Sequence, residues 1–352
     1  MTADSGLRVA LIGYGLSGEV FHASLIAATE GIDVTAVVTA DPDRRARVTR
    51  RFPHAELLSS PDAIWADPSR FDLVVISSPN RTHIPLAMRA VGAGLPVVVE
   101  KPVAATVVEA EALKDAAAAR GVPVAVFQNR RWDGDFLTLA GLLDEGRLGS
   151  VHRFESRFER WRPEVSKAWK ESPDPADAGG VFYDLGSHLI DQALVLFGPV
   201  DSVYAELRNV RPGARVDDDA FVALAHRNGT VSHLWASLVA ADVGPRVRAL
   251  GSAGAFVKLG LDGQEALLRA RLADGSADAR STPDREWAQL DVGGESRSIP
   301  IVEGRYARFY ELLAVALVDG GPVPVGIDDA IATLRVIEAA QASDHQRDVI
   351  DL

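Results

Sequence analysis

Residues 7–18 read LRVALIGYGLSG, and this stretch decides the fold. Residues 8–12 are a short apolar run with strand character, and residues 19–28 can continue as a helix. A glycine-rich loop between a strand and a helix is the arrangement that binds the pyrophosphate of a dinucleotide. The competing interpretation is an ordinary glycine-rich turn, since glycines at this spacing also occur in loops without a ligand.

Each glycine has a physical role if the loop binds a dinucleotide. Gly13 permits a tight turn, Gly15 lets the backbone approach the phosphates, and Gly18 lets the helix pack close to the strand. The amides and the dipole of the helix N-terminus then face the phosphates. We therefore expect the cofactor to contact Gly13, Tyr14, Gly15, Leu16, Ser17 and Gly18.

Strand and helix patterns alternate through the first part of the chain. Apolar runs that indicate strands are residues 8–12, 33–38, 73–77, 97–100 and 123–127. Helical patterns lie between them at residues 19–28, 42–50, 83–93 and 106–120. Nearly continuous apolar strands separated by helices are typical of a parallel sheet covered on both faces. The fold class is therefore α/β, with a doubly wound, parallel Rossmann domain predicted over residues 1–127.

The pattern changes after residue 127. A helical stretch near residues 132–145 precedes strand-like runs at residues 151–160, 200–208, 220–226, 230–237 and 247–250. Several of these runs alternate apolar and polar residues, and residues 227–230, RNGT, predict a hairpin turn. We predict that residues 128–352 form an α+β domain with a large, mainly antiparallel open sheet. The polar residues 273–298 are interpreted as a long loop.

Composition limits the classes of function. A length of 352 residues favours two domains, and a net charge of −12 argues against a nucleic-acid-binding surface. Because cysteine is absent, disulfides, thiolate nucleophiles and cysteine-bound zinc are excluded, and we expect no metal site. The sequence shows neither a secretory signal at its start nor an apolar run long enough to span a membrane. A soluble, cytoplasmic protein is expected.

The residues after the second predicted strand bear on the choice of cofactor. An acidic side chain at this point binds the ribose hydroxyls of NAD in dinucleotide-binding folds. Here the strand ends at Thr39, which cannot repel a 2′-phosphate, and Arg44 and Arg45 follow. The sequence favours NADP over NAD, although Asp41 could still reach the ribose. Alternatively, the two arginines are solvated residues in the first turn of a helix.

Polar residues also follow two other predicted strands. Glu100 and Lys101 end the apolar run of residues 97–99, where burial and neighbouring charges perturb pKa values. The competing interpretation is a structural ion pair. After residues 73–77, a polar loop suits a position beneath the cofactor's ribose and nicotinamide, or a helix entry capped by Asn80 or Thr82. Its candidate cofactor contacts are Ser77, Ser78, Pro79, Asn80 and His83, with His83 alternatively a surface residue.

These motifs together resemble the Gfo/Idh/MocA family of oxidoreductases. The glycine loop, the tripeptide Glu100-Lys101-Pro102 and residues 179–188, GGVFYDLGSH, match its three signature segments in order. Within the family the chain is most similar to the scyllo-inositol dehydrogenase branch, through residues 21–23, 128–138 and 162–165. Two positions depart from the pattern. Gln128 stands where close relatives often have His, and Thr39 replaces an acid common elsewhere in the family.

The resemblance implies an NAD(P)-dependent dehydrogenase that moves a hydride to or from a secondary alcohol of a polyol or sugar. It implies Lys101, Asp184 and His188 as catalytic residues. Asp184 and His188 are four residues apart, so a helix would place them on one face. His188 is the best candidate for the proton acceptor, Lys101 would bind the same oxygen, and Asp184 would orient His188 or bind a neighbouring hydroxyl. The sequence does not decide which of Lys101 and His188 accepts the proton first. In relatives the chain turns sharply at the lysine, which predicts a cis Lys101–Pro102 peptide.

A polyol needs many polar partners. The candidate substrate contacts are Asn129, Arg131, Asp133, Trp161 and Tyr183, with Arg131 and Asp133 expected nearest the site, and His22 is a candidate for the nicotinamide end. Alternatively, the arginines pair with local acids.

Two rival functions stay open at this stage. One is an imine-type or biliverdin-type reductase on the same architecture, and the other is a regulator that senses the nucleotide without turnover. A homodimer or homotetramer is expected, because alternating apolar residues would leave a patch exposed on a monomer. These residues are Val222, Leu224, Val231, Leu234 and Trp235.

Overall fold

The protein is described by a computed structural model that covers residues 6–165, 169–274 and 286–352. Within these ranges the chain forms two sheets with helices packed against them. The first five residues and residues 275–285, part of the segment interpreted as a long loop, lie outside the described residues.

The first sheet has six parallel strands. They are β1 (Leu7–Ile12), β2 (Ile32–Val38), β3 (Glu56–Leu58), β4 (Leu73–Ile76), β5 (Val97–Glu100) and β6 (Val124–Phe127). Their order, β3-β2-β1-β4-β5-β6, is that of a Rossmann sheet, which confirms the prediction. β3 was not predicted, because its three residues are too short for a period to be recognised.

Helices cover this sheet, and short sequence signals set their ends. The helices are α1 (Ala23–Ala27), α2 (Pro42–Arg51), α3 (Asp62–Ala66), α4 (His83–Gly92) and α5 (Val107–Arg120). A π-helical turn, Gly18–His22, leads into α1. Asp41 caps α2 by accepting from the Arg44 amide, while Thr106 and Glu109 form a capping box at the start of α5.

The second sheet has nine strands and is mostly antiparallel. They are β7 (Val151–Glu159), β8 (Val200–Arg208), β9 (Asp219–His226), β10 (Val231–Ser237), β11 (Val247–Gly251), β12 (Gly254–Lys258), β13 (Trp287–Val292), β14 (Glu295–Pro300) and β15 (Ile350–Asp351). Their order is β14-β13-β12-β11-β7-β10-β9-β8-β15, with only β7 and β10 parallel among these neighbours. The predicted hairpin joins β9 to β10, and Gly229 adopts φ +88° in its turn.

The interpretation of residues 273–298 as a long loop was wrong for the part that the structure describes. β13 and β14 pair as a hairpin through Gly293 and Gly294, which adopt φ +64° and +84°. β14 reads ESRSIP and is largely exposed at the sheet edge, so the apolar alternation that identifies a half-buried strand is missing. A helix at Gln264–Asp274, which was not predicted from the sequence, precedes this segment.

Helices of the second half contact both sheets. They are α6 (Gly134–Asp144), α7 (Ser187–Phe197), α8 (Gln264–Asp274), α9 (Ala307–Asp319) and α10 (Ile327–Gln346). The Val107 amide at the start of α5 donates to Glu338 of α10 (2.7 Å), and the Ala205 amide of β8 donates to Ser343 of α10 (3.0 Å). The last helix therefore binds both halves. The boundary between residues 127 and 128 stays a prediction.

The second sheet was expected to expose an apolar patch on a monomer. This expectation was wrong for three of the residues that it named. Val222, Leu224 and Leu234 are buried within the chain, where they contribute to its core. Alternate residues of a strand point to opposite faces of the sheet. The opposite face therefore carries Phe221 and Trp235, and both side chains are half-buried. In the part of the chain that is described, none of the helices is both long and apolar enough to cross a bilayer.

Candidate active site

The glycine loop after β1 has the shape that a dinucleotide cradle requires. A Cβ on Gly13, which adopts φ +95°, would lie 2.3 Å from the Ser77 carbonyl oxygen. A Cβ on Gly18 would lie 2.2 Å from the Gly13 carbonyl oxygen, so helix and strand approach too closely for any side chain. Around Gly15 the space is open, and its nearest neighbour would be the Arg44 guanidinium at 3.9 Å. These residues fit a bound dinucleotide.

The other residues of the glycine loop differ in burial and in their contacts. Tyr14 is fully buried and belongs to the hydrophobic core, whereas Leu16 is exposed. The Ser17 hydroxyl donates to Glu100 Oε1 at the end of β5. Ser17 therefore links the loop to β5 through its side chain.

At the end of β2, Arg44 and Arg45 make different contacts. Asp41 is engaged as the cap of α2, accepting from the Arg44 amide at 2.9 Å. Arg45 donates to the Thr39 carbonyl oxygen at 3.2 Å, and Thr39 itself is buried. The Arg44 guanidinium, in contrast, lies beside the open glycine loop.

The loop after β4 contacts both halves of the chain. Ser77 lies beneath the glycine loop, and the hydroxyls of Ser78 and Thr82 are 2.6 Å apart. Pro79 precedes Asn80, whose side-chain amide donates to the Asp177 carbonyl oxygen (2.9 Å). The Arg81 guanidinium pairs with the Asp177 carboxylate. Asn80 thus makes a contact between the two halves of the chain, which the sequence did not predict.

His83 was expected to be either a cofactor contact or a surface residue, and the surface alternative was wrong, while the cofactor contact stays a prediction. The ring is buried, with Nδ1 2.8 Å from the Pro102 carbonyl oxygen and Nε2 2.9 Å from the Ser78 carbonyl oxygen. Because both ring nitrogens are occupied, His83 holds two loops together. The Lys101–Pro102 peptide between β5 and α5 is cis, which confirms the prediction.

Lys101, at the end of β5, meets Asp184 from the second half of the chain. Its Nζ lies 3.0 Å from Asp184 Oδ1 and also donates to the Asp184 carbonyl oxygen. Lys170 contacts the same carboxylate oxygen at 2.7 Å. Burial would raise the pKa of Asp184, but the charges of the two lysines hold that pKa well below its usual range. Burial and the charge of Lys170 lower the pKa of Lys101, although Asp184 opposes them.

His188, on the first turn of α7, is held by Gln128 and not by Asp184. The distance from His188 Nδ1 to Gln128 Oε1 is 2.9 Å. Because an amide oxygen only accepts, Nδ1 carries the proton and Nε2 is the basic nitrogen. Burial, with the charges of Lys101 and Arg130, holds the pKa of His188 well below its usual value, so the ring is neutral at pH 7.

The pairing of Asp184 with His188 on one α-helical face was therefore a wrong expectation. Phe182–Gly186 is a π-helical turn, which changes the spacing of side chains before α7 begins at Ser187. The carboxylate of Asp217 accepts from the Phe182 amide at 2.6 Å, and Gly180 passes so close that a Cβ there would lie 2.2 Å from Asp217 Oδ1. This packing fixes the start of the segment that carries Asp184 and His188.

Most of the predicted substrate contacts are engaged elsewhere. Arg131 pairs with both oxygens of Asp191, at 2.8 and 2.6 Å, which is an ion pair with a carboxylate distant in sequence and not with one of the local acids. Asp133 has no exposed surface and accepts from the Tyr306 hydroxyl at 2.6 Å, so the structure does not bring it to the cleft. The Tyr183 hydroxyl donates to the Ala105 carbonyl oxygen. Asn129 is buried, and Trp161 is 57% exposed.

His22 was a candidate for the nicotinamide end, and this stays a prediction. It is fully buried between Glu100 and Tyr310, at 3.0 and 2.6 Å. Three side chains contact the predicted site residues without having been predicted from the sequence. Gln128 was noticed only as a departure from the family pattern, and no spacing signal connects Lys170 or Tyr310 to the site.

Comparison with known proteins gives a consistent result. Residues 7–128 match the family model described as an oxidoreductase family with an NAD-binding Rossmann fold, and residues 136–257 match the Gfo/Idh/MocA C-terminal domain. The chain is 38% identical to the uncharacterized oxidoreductase YdgJ of Escherichia coli, covering 95% of each protein. It is 36% identical to the scyllo-inositol 2-dehydrogenase (NADP(+)) IolW of Bacillus subtilis, covering 98% of this chain and 96% of IolW.

Solved structures agree with the sequence relatives. The structure of yvaA from Bacillus subtilis superposes with a TM-score of 0.92 at 34% identity, and the match covers all of both chains. A two-sheet architecture, a glycine cradle and the Lys101, Asp184 and His188 group thus coincide with full-length similarity. The chain belongs to the Gfo/Idh/MocA family of NAD-binding oxidoreductases.

Proposed function

We propose that the protein is a dehydrogenase that moves a hydride between a nicotinamide cofactor and a secondary alcohol of a cyclic polyol or sugar, with scyllo-inositol as the leading substrate. The observation that carries the proposal is the meeting of Lys101 and Asp184 near a neutral His188. About a third of the Asp184 side chain is exposed, which leaves room for a substrate beside the lysine. The similarity to IolW supports the inositol class.

The residues of the chain supply the proton chemistry of this reaction. When bound, the nicotinamide accepts or returns the hydride. His188 Nε2 takes the proton from the substrate hydroxyl, because Gln128 keeps the proton of the ring on Nδ1. Lys101 Nζ donates a hydrogen bond to the same oxygen and stabilises its developing negative charge. Asp184 holds the lysine in place, which differs from the expected role of orienting His188.

NADP is the proposed cofactor, in preference to NAD. Asp41 is occupied as the cap of α2, and the Arg44 guanidinium lies beside the open loop at Gly15. A cation at this position suits a 2′-phosphate, whereas a free carboxylate would suit unmodified ribose. IolW, at 36% identity, is named as an NADP(+) enzyme.

A substrate panel tests this function. Purified protein is assayed with NADP and NAD against inositols, sugars, their keto forms and a set of imines. We expect oxidation of scyllo-inositol, reduction of its ketone, and loss of both in Lys101→Met and His188→Asn. Turnover of imines alone would assign the chain to the reductases. Cofactor binding without any turnover across the panel would support a nucleotide-sensing regulator.

A homodimer, or a tetramer of such dimers, is proposed with the outward face of the second sheet as its interface. This face carries an aromatic cluster of Phe221, His233 and Trp235, with ring centroids 5.2–6.0 Å apart. The Arg157 guanidinium stacks on Trp235 at 3.9 Å. Half-buried aromatic and arginine side chains are typical of protein interfaces.

A further inference from the structure

A buried chain of hydrogen bonds runs from the second half of the molecule to the glycine loop. The Tyr310 hydroxyl, on α9, lies 2.6 Å from His22 Nδ1. His22 Nε2 lies 3.0 Å from Glu100 Oε1, which also accepts from the Ser17 hydroxyl. Tyr310 and His22 are fully buried, and only 13% of the Glu100 side chain is exposed.

The direction of each bond follows from the chemistry of the partners. A carboxylate only accepts, so His22 Nε2 donates to Glu100. Of the two tautomers of a neutral imidazole, the one that donates from Nε2 has its lone pair on Nδ1, and this nitrogen accepts from the Tyr310 hydroxyl. Burial would raise the pKa of Glu100, but the hydrogen bonds from His22 and Ser17 outweigh it and lower that pKa. Glu100 therefore stays ionised.

Glu100 is joined directly to the proposed catalytic lysine. The backbone amide of Lys101 donates to Glu100 Oε2 at 3.2 Å, so the carboxylate fixes the peptide from which the lysine side chain extends. The negative charge of Glu100 also favours the charged form of Lys101 against burial, which lowers the pKa of the lysine. Other charged or titratable groups face Lys101 from neighbouring elements: Asp184, Lys170, His188 and His83.

Glu100 was expected to contact the cofactor, but its contacts assign it another task. Oε1 already accepts from two side chains and Oε2 from the Lys101 amide. We propose that Tyr310, His22 and Glu100 form a positioning relay that connects α9 to the glycine loop through Ser17 and holds Lys101 for proton chemistry. The relay acts through Lys101, and it rests on the proposed function only in giving that lysine a catalytic role.

A titration of Lys101 tests the relay without a substrate. The chain has five lysines, so selective 13C labelling of lysine gives a simple spectrum in which Lys101→Arg identifies the Lys101 signal. Glu100→Gln keeps the shape and removes the charge, and we expect the Lys101 midpoint to fall by roughly one pH unit. An unchanged midpoint would overturn the proposal, whether or not the protein turns over any polyol.

Kinetic measurements on a second variant separate positioning from cofactor contact. Tyr310→Phe keeps the buried ring and removes only the hydroxyl that His22 accepts from, so it tests the relay even if Glu100→Gln fails to fold. We expect kcat to fall three- to tenfold, at ~1.4 kcal/mol per factor of ten, with the cofactor KM within about twofold. Tyr204→Phe is the control, since its hydroxyl donates to Glu206 on β8, and it should leave kcat unchanged. An unchanged kcat in Tyr310→Phe, or a raised cofactor KM with kcat retained, would contradict the relay.

Discussion

At the scale of single residues, Gln128 determines which nitrogen of His188 carries the proton. Replacing it by leucine removes the acceptor for Nδ1–H, so both tautomers of the ring become populated. We expect Gln128→Leu to lower kcat by about ten- to a hundredfold, the range of a misplaced acid–base group. Gln289→Leu on the exposed edge hairpin is the control. Full activity in Gln128→Leu would show that another group orients the base.

The same contact predicts a pH dependence. His188 has a lowered pKa and is neutral at pH 7, so alcohol oxidation should decline only as the pH falls below about 6.5, the ordinary value for histidine. Gln128→Glu places a carboxylate against Nδ1–H and favours the imidazolium, which raises the pKa of His188. The acidic limb of the kcat profile should therefore move to higher pH in this variant. A shift in the opposite direction, or none, would contradict the assignment of His188 as the base.

The proposed preference for NADP depends on Arg44 at the same scale. Arg44→Ala should weaken NADP by about 1–2 kcal/mol, the cost of losing a hydrogen bond to a charged group, and leave NAD within twofold. Arg45→Ala should have less effect, because Arg45 is directed to the Thr39 carbonyl oxygen. Fluorescence titrations measure both affinities, with Arg50→Ala at the exposed end of α2 as the control. A preference for NAD that depends on Asp41 would reverse the conclusion.

At the scale of elements, the glycine loop works because β1 and the following helix are almost in contact. A methyl group on Gly18 would meet the Gly13 carbonyl oxygen at 2.2 Å, so Gly18→Ala must push the helix away from the strand. We expect dinucleotide affinity to fall at least tenfold, about 1.4 kcal/mol. Gly92→Ala, within α4 and with no neighbour near its Cβ, should bind normally. Normal affinity in Gly18→Ala would mean that the loop does not bind the phosphates.

Elements with a strong local pattern were the ones that the sequence predicted. β1, the glycine loop and the β9–β10 hairpin follow from apolar runs and from glycines that need positive φ or close approach. β14 was not predicted, because an exposed polar edge strand has no buried face and therefore no alternation of apolar and polar residues. The contacts of Asp184 could not be foreseen, because a single π-helical turn alters the spacing by one residue. Roles for Gln128 and Tyr310 depend on distant segments of the chain meeting in three dimensions.

At the scale of the whole molecule, the outward face of the nine-stranded sheet is the proposed dimer interface. Trp235→Glu places a charge among the aromatic cluster and should convert the assembly to monomers in light scattering at micromolar concentration. Val318→Glu, at an exposed position on α9, should leave the mass unchanged. A monomeric, fully active wild-type protein would refute the interface.

The central claim is that hydride passes directly between a polyol carbon and the nicotinamide while His188 and Lys101 handle the proton. The most direct test uses scyllo-inositol carrying deuterium on its ring carbons, with NADP and the purified protein in ordinary water. NMR of the recovered cofactor should show one deuterium at C4 of the nicotinamide and a primary isotope effect on the rate. Reduced cofactor that contains only solvent hydrogen, or no reduced cofactor at all, would contradict the account.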